Sequence, residues 1–199
     1  MIKAQNRIRD LEALLARVGN AVGHERIEQA RAALAHGDYS VADALFADIE
    51  ARAELEVQSA ANAVYGRGEV AEAEVRWSDA AVFYRKAARL DPSFRTLSKA
   101  HEFTYWIGDY ERALMLGQEL VDVAQEEGDM ANLASAKNHH AVTLHALQRL
   151  DEAERLSRDA LQTAGKSIGE THPDFADYTN NLGSIVEARG FLSTAETLY

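Results

Sequence analysis

Read for its apolar positions, the chain is a succession of helices. Bulky apolar residues and alanines recur three and four residues apart, a spacing that gathers them on one helical face, and strand signals are absent. The first such stretch, "NRIRDLEALLARVGNAVG", puts Ile8, Leu11, Leu15 and Val18 on one side. It predicts an N-terminal helix over residues 1–21 that packs onto the helices next to it in sequence. Only Pro92 and Pro173 stand in the way of helix, and Ala, Leu, Glu and Arg dominate, so propensity and pattern agree. Between Tyr39 and Glu74 neither Gly nor Pro occurs before Gly66; a break between two helices is expected there, near residues 52–56.

The pattern also repeats. "HGDYSVADALF" at 36, "VRWSDAAVFY" at 75, "IGDYERALMLG" at 107, "QRLDEAERLS" at 148 and "RGFLSTAETLY" at 189 each set a bulky residue three positions before an alanine. The alanines are Ala42, Ala80, Ala113, Ala153 and Ala195, spaced 38, 33, 40 and 42 residues apart. Four positions after them stand Phe46, Tyr84, Gly117, Ser157 and Tyr199; twelve before them stand Ala30, Gly68, His101, Ala141 and Gly183. Small residues at two fixed points let antiparallel helices approach closely, and an aromatic between them fills the space toward the next unit.

Five matches in register resemble the tetratricopeptide repeat, a helix-turn-helix unit of about 34 residues. The resemblance implies an all-α, right-handed α-solenoid of about five repeats over residues 22–199, near 22–55, 56–92, 93–128, 130–168 and 174–199, the last truncated. His101 at a normally small position, and Gly117 and Ser157 in place of the aromatic, depart from the family pattern. The last two repeats are similar to those of kinesin light chains, in which a "GEDHPD"-like loop leads into an "NNLA"-like helix; here these are Gly169 to Asp174 and Asn180 to Gly183.

That likeness bears on "GETHPDFADYTNNLG", the stretch richest in residue types that hydrolases and metal sites use. Gly169 suits the left-handed end of a helix, Pro173 the first turn of the next, and Asp174 its positive end. The loop reads as punctuation between helices. The histidines of "NHHAVTLH" fall at separations of 1, 5 and 6, not the i, i+4 of a zinc-binding helix. His140 is expected on the packing side, His139 and His145 on the outward side. With no phosphate loop, serine elbow or cysteine, nothing points to an enzyme, and neither metal nor cofactor is expected.

Composition narrows the partners. A net charge of −11 argues against nucleic acid, whose phosphates require concentrated Lys and Arg. No apolar run approaches the roughly 20 residues of a membrane helix, and neither a leader nor a cysteine framework is present, so a cytoplasmic protein with no membrane contact is expected. The chain stops within a helix of the fifth repeat, which suggests a piece of a longer, bacterial-type multidomain protein.

In the family the first helix of each pair lines a concave groove. Counting from the alanines, its outward positions are Asn62, Tyr65, Glu69 and Glu72, then Arg95, Ser98, Lys99, Glu102 and Tyr105. Asn138, His139, Val142 and His145 follow, and then Asp177, Asn180, Asn181, Ser184 and Glu187. Asn138, Asn180 and Asn181 match positions where kinesin light chain repeats carry an asparagine ladder, and an amide side chain can pair with both groups of a peptide unit. An extended peptide or partner protein is the implied ligand, with Tyr65 and Tyr105 stacking on it and Arg95 and Lys99 meeting an acidic residue. The alternative is a structural or oligomerisation arm, packing against its own effector domain or, through the uncovered C-terminal helix face, against a second copy.

Overall fold

The computed structural model describes residues 21–191 and residue 195. The expected N-terminal helix and the apolar face of the last helix lie outside the described residues. Among those described there are eight helices and no strand. They are α1 (Ala21–His36), α2 (Tyr39–Ala73), α3 (Trp77–Leu90), α4 (Phe94–Trp106), α5 (Tyr110–Glu127), α6 (Met130–Ala146), α7 (Leu150–Ser167) and α8 (Pro173–Ala188). None is long and apolar enough to cross a membrane.

The chain divides into two compact units, residues 1–63 and 64–199. In the first, Ile27 and Ala30 of α1 bury against Ala42, Phe46, Ile49 and Ala53 of α2, and Arg26 pairs with Asp48 over that seam. The second is an α-solenoid in which each helix packs on the next. Within it α4 also touches α6, and α6 touches α8, so these three form one layer. Its largest core side chains include Tyr84, Leu97, Phe103 and Leu120.

The alanine landmarks mark the close contacts. Ala42, Ala80, Ala113, Ala153 and Ala195 are each at most 2% exposed. At Gly68 an added Cβ would stand 2.6 Å from the Tyr84 ring, so the aromatic of α3 rests on bare backbone. Gly117 lacks the aromatic of its counterparts, and His140 from α6 fills the space: a Cβ on Gly117 would meet its Nδ1 at 2.6 Å. His140 thus faces the packing side, as its spacing predicts.

The helix ends are set by local chemistry. Asp109 accepts the Arg112 N–H at 3.3 Å to start α5, and Asp129 accepts those of Ala131 and Asn132 at 2.9 and 3.1 Å to start α6. Gly169 is left-handed (φ 84°), and Pro173 occupies the first turn of α8, whose cap is the His172 ring accepting the Asp174 N–H at 3.2 Å. The loop punctuates as expected.

One boundary differs. The break expected near residues 52–56 is absent, and α2 runs unbroken for 35 residues. The segment "EARAELEVQSAANAV" contains no Gly, Pro or capping Asp, and strong helix formers carry the helix through it.

Candidate peptide groove

The layer of α4, α6 and α8 exposes a groove of about 570 Å³. From α4 come His101, Glu102, Tyr105 and Trp106; from α6, Ser135, Asn138, His139 and Val142; from α8, Asp174, Asp177, Tyr178, Asn180 and Asn181. Every second helix contributes because alternate helices share this layer. On α6, Ser135, Asn138, His139 and Val142 are three, one and three residues apart, so they fall on a single face.

Side chains tie the three helices together across the floor. Asn181 Nδ2 donates to Asn138 Oδ1 at 3.1 Å, joining α8 to the largely buried Asn138 of α6. Tyr178 hydrogen-bonds to Ser135, and burial raises the pKa of its phenol. The His101 ring lies parallel to His139, with centroids 5.3 Å apart, and its Nε2 is 2.8 Å from Thr143 Oγ1. The same hydroxyl also reaches the His139 carbonyl at 3.2 Å. The Nδ1 atoms of His101 and His139 are buried without a hydrogen-bond partner among the described residues.

Burial, reinforced by His139 and His140, lowers the His101 pKa to about 3, and burial lowers that of His139. Both imidazoles are therefore neutral at physiological pH, and charge in the groove comes from carboxylates. Glu102 is neutralised by Lys99 at 3.3 Å. Asp174 has only the His172 ring, at 3.8 Å, and Asp177 makes no ion pair among the described residues. No lysine or arginine lines the groove among the described residues. Its net charge is negative.

The structure brings together half of the candidate residues. Glu102, Tyr105, Asn138, His139, Asn180 and Asn181 line the groove, as do the outward positions Val142 and Asp177. His145 lies on the same helix but does not line it. Asn62 lies on α2 in the first unit and is exposed, as is Glu69 further along α2. Tyr65 is 9% exposed, and the Arg95 guanidinium covers its ring at 4.1 Å. Lys99 bonds Glu72 at 3.0 Å as well as Glu102. Tyr65, Arg95 and Lys99 thus each have partners within the protein.

The network around Lys99 is partly buried. Tyr84 Oη donates to Glu72 at 2.5 Å from below while Lys99 donates from α4. Burial pushes the Glu72 carboxyl up, but these two donors outweigh it and hold its pKa below the usual range. Burial likewise works against the Lys99 charge, and Glu72 and Glu102 outweigh it, raising its pKa.

Sequence reasoning missed His101, Trp106, Ser135, Asp174 and Tyr178 as groove residues. In the sequence His101 reads as a packing residue and Asp174 as a helix-end residue, and each lines the groove besides. The outward face of a solenoid helix is wider than the positions counted from one landmark.

No protein-family model and no curated protein matches the sequence. Among solved structures the chain is similar to BtubC (BKLC) from P. vanneervenii, with a TM-score of 0.62 at 20% identity over 99% of this chain and 85% of that one. It is similar to the TPR-like repeats of a putative kinesin light chain from Podosopora anserina (TM-score 0.56, 14% identity, 88% of this chain, 90% of that one). It is similar also to YrrB, described as a TPR protein with an unusual peptide-binding site (TM-score 0.54, 19% identity, 94% and 89%). The fold is that of tetratricopeptide-repeat proteins.

Proposed function

We propose that this chain is a protein-recognition module that binds an extended, cationic peptide segment across α4, α6 and α8. The observation that carries the reading is the groove itself: three helices of one layer joined by the Asn138–Asn181 amide pair beneath a rim on which Asp174 and Asp177 have no Lys or Arg partner among the described residues. Three helices at roughly 10 Å spacing present about 20 Å of surface, room for about six residues at about 3.3 Å each. Asn180 and Asn181 offer amide groups to a peptide backbone, Tyr105 and Trp106 offer ring faces, and the two aspartates meet Lys or Arg side chains. YrrB, with the same fold, is described as having a peptide-binding site, which supports the class of ligand. The mechanism is binding without bond making or breaking.

Selection from a displayed library of random peptides tests it. Enrichment of Lys and Arg at alternating positions is expected on the parent protein, with loss of that enrichment on a folded Asp174→Asn, Asp177→Asn variant. Sequences enriched equally on both would refute it.

A further inference from the structure

The two ends of the groove differ in charge. At the α8 end Asp174 and Asp177 are exposed and have no Lys or Arg partner among the described residues. At the α4 end the carboxylate is Glu102, and Lys99, from outside the groove lining, neutralises it at 3.3 Å. His101 and His139 beside it are uncharged. What the α4 end presents instead is a pair of fixed rings. Trp106 remains 54% exposed although Trp77 and Phe103 meet it edge to face, with centroids 5.5 and 4.9 Å away. Tyr105 is half-buried between Tyr110, at 5.2 Å, and His101, at 6.4 Å. Rings already held in place lose little freedom when a ligand covers them, and Trp and Tyr are the side chains most often found to carry binding energy.

Resting on the peptide reading of the groove, we propose that its ligand is bipartite, with an aromatic side chain on Trp106 and Tyr105 and a basic pair on Asp174 and Asp177, and that Lys99 sets this specificity by discharging Glu102. A cation brought to the α4 end would exchange its water for a carboxylate that Lys99 already holds, whereas an aromatic side chain has no charge to desolvate. At the α8 end the balance is reversed, because two unpaired carboxylates await a counter-charge. Three residues apart on a helix, they stand about 5–6 Å from each other, close to the roughly 7 Å between alternate residues of an extended strand. The two ends are two interhelix spacings apart, about 20 Å, so about five or six residues of extended chain separate the aromatic from the middle of the basic pair. Lys99 is a positioning residue in this arrangement: it acts on the ligand through Glu102.

The test is anisotropy titration of the 199-residue chain with labelled peptides of about ten residues, each an alanine chain carrying two alternating lysines. One has no further change, one adds a Trp about five residues from the nearer lysine, in either order along the chain, and one places the Trp beside the lysines. A last peptide has a third lysine where the distant Trp would stand. The distant Trp is expected to tighten binding about tenfold in one of the two orders, and the adjacent Trp to add little. The parent prefers the distant Trp to the third lysine. In Lys99→Gln, where Glu102 is released, that order reverses, and Lys99→Gln, Glu102→Gln restores it. Should Lys99→Gln fold poorly, Trp106→Ala, at a largely exposed side chain, loses the gain from the distant Trp. No gain in either order, a gain indifferent to spacing, or a Trp preference unmoved in folded Lys99→Gln and Trp106→Ala would overturn the proposal. The plain lysine peptide separates the two readings: if it binds tighter than its glutamate counterpart while Trp adds nothing, the bipartite ligand alone fails, and if it shows no such preference the cationic-peptide reading fails and takes this one with it.

Discussion

Val75 and Gln148 do with a side chain what Gly37, Gly108 and Gly190 do without one. All five are left-handed, with φ from 59° to 87°, and all five sit two positions before the bulky residue of the recurring phrase. The turn demands a positive φ at that point, a conformation costing a side-chain-bearing residue about 1–2 kcal/mol and a β-branched one at the upper end. Val75 is exposed, so its side chain returns little packing. Val75→Gly is expected to stabilise the protein by about 0.5–1 kcal/mol, less than the relieved strain because glycine also frees the unfolded chain. A higher urea midpoint at unchanged slope would show it; a lower one would mean the turn is held some other way. At this scale the sequence was informative wherever a residue type was diagnostic. Alanines at the close contacts and the Gly169–Pro173 punctuation could be read directly, whereas the left-handed Val75 and Gln148 could not, because nothing in either residue advertises the conformation. The exchange at Gly117 was half visible: the missing aromatic could be seen, but not that His140 comes from the next helix to replace it.

Between elements, ion pairs and neutral histidines do much of the specifying. Lys99 joins α4 to the last turns of α2 through Glu72, with Tyr84 of α3 completing the contact. Lys99→Glu would gather three carboxylates around one phenol and is expected to lower stability by about 1–3 kcal/mol, measurable as a fall in melting temperature; an unchanged value would make this network incidental. His101 links α4 to α6 in its uncharged form. Its folded pKa of about 3 lies below the ordinary 6.5, so the unfolded chain takes up a proton that the folded chain refuses. The resulting stabilisation is complete above pH 6.5 and is lost as pH falls toward 3, at up to about 1.4 kcal/mol per pH unit. His101→Gln should show a shallower loss between about pH 6.5 and 4 than the parent in denaturant titrations, and parallel curves would contradict a buried neutral imidazole. Helix type was legible throughout from period and propensity. The boundary inside α2 was not, because the repeat phase called for a turn where the local sequence offers no residue able to make one, and local propensity prevailed. Nor could the sequence show that Lys99 and Arg95 are occupied, since their partners Glu72 and Tyr65 lie 27 and 30 positions earlier.

Across the molecule, a layer of alternate helices turns a weak periodic signal into one surface. Residues more than forty positions apart, such as Asn138 and Asn181, meet only because α6 and α8 stand side by side. The outward positions of α4, α6 and α8 followed from the landmark alanines, so six of the twelve candidates fell in the groove. The sign of its charge did not follow, because it depends on which carboxylates the interior leaves unpaired. One comparison tests that sign, on which the peptide reading rests, most directly: anisotropy titration of two fluorescent peptides of about ten residues, one alternating Lys with Ala and one alternating Glu with Ala, against the parent and an Asp174→Asn, Asp177→Asn, Asn181→Ala variant of unchanged helicity. The lysine peptide is expected to bind the parent at least tenfold tighter than the glutamate peptide, and the variant to lose most of this preference. Tighter binding of the glutamate peptide, or a lysine preference that survives in the variant, would contradict it.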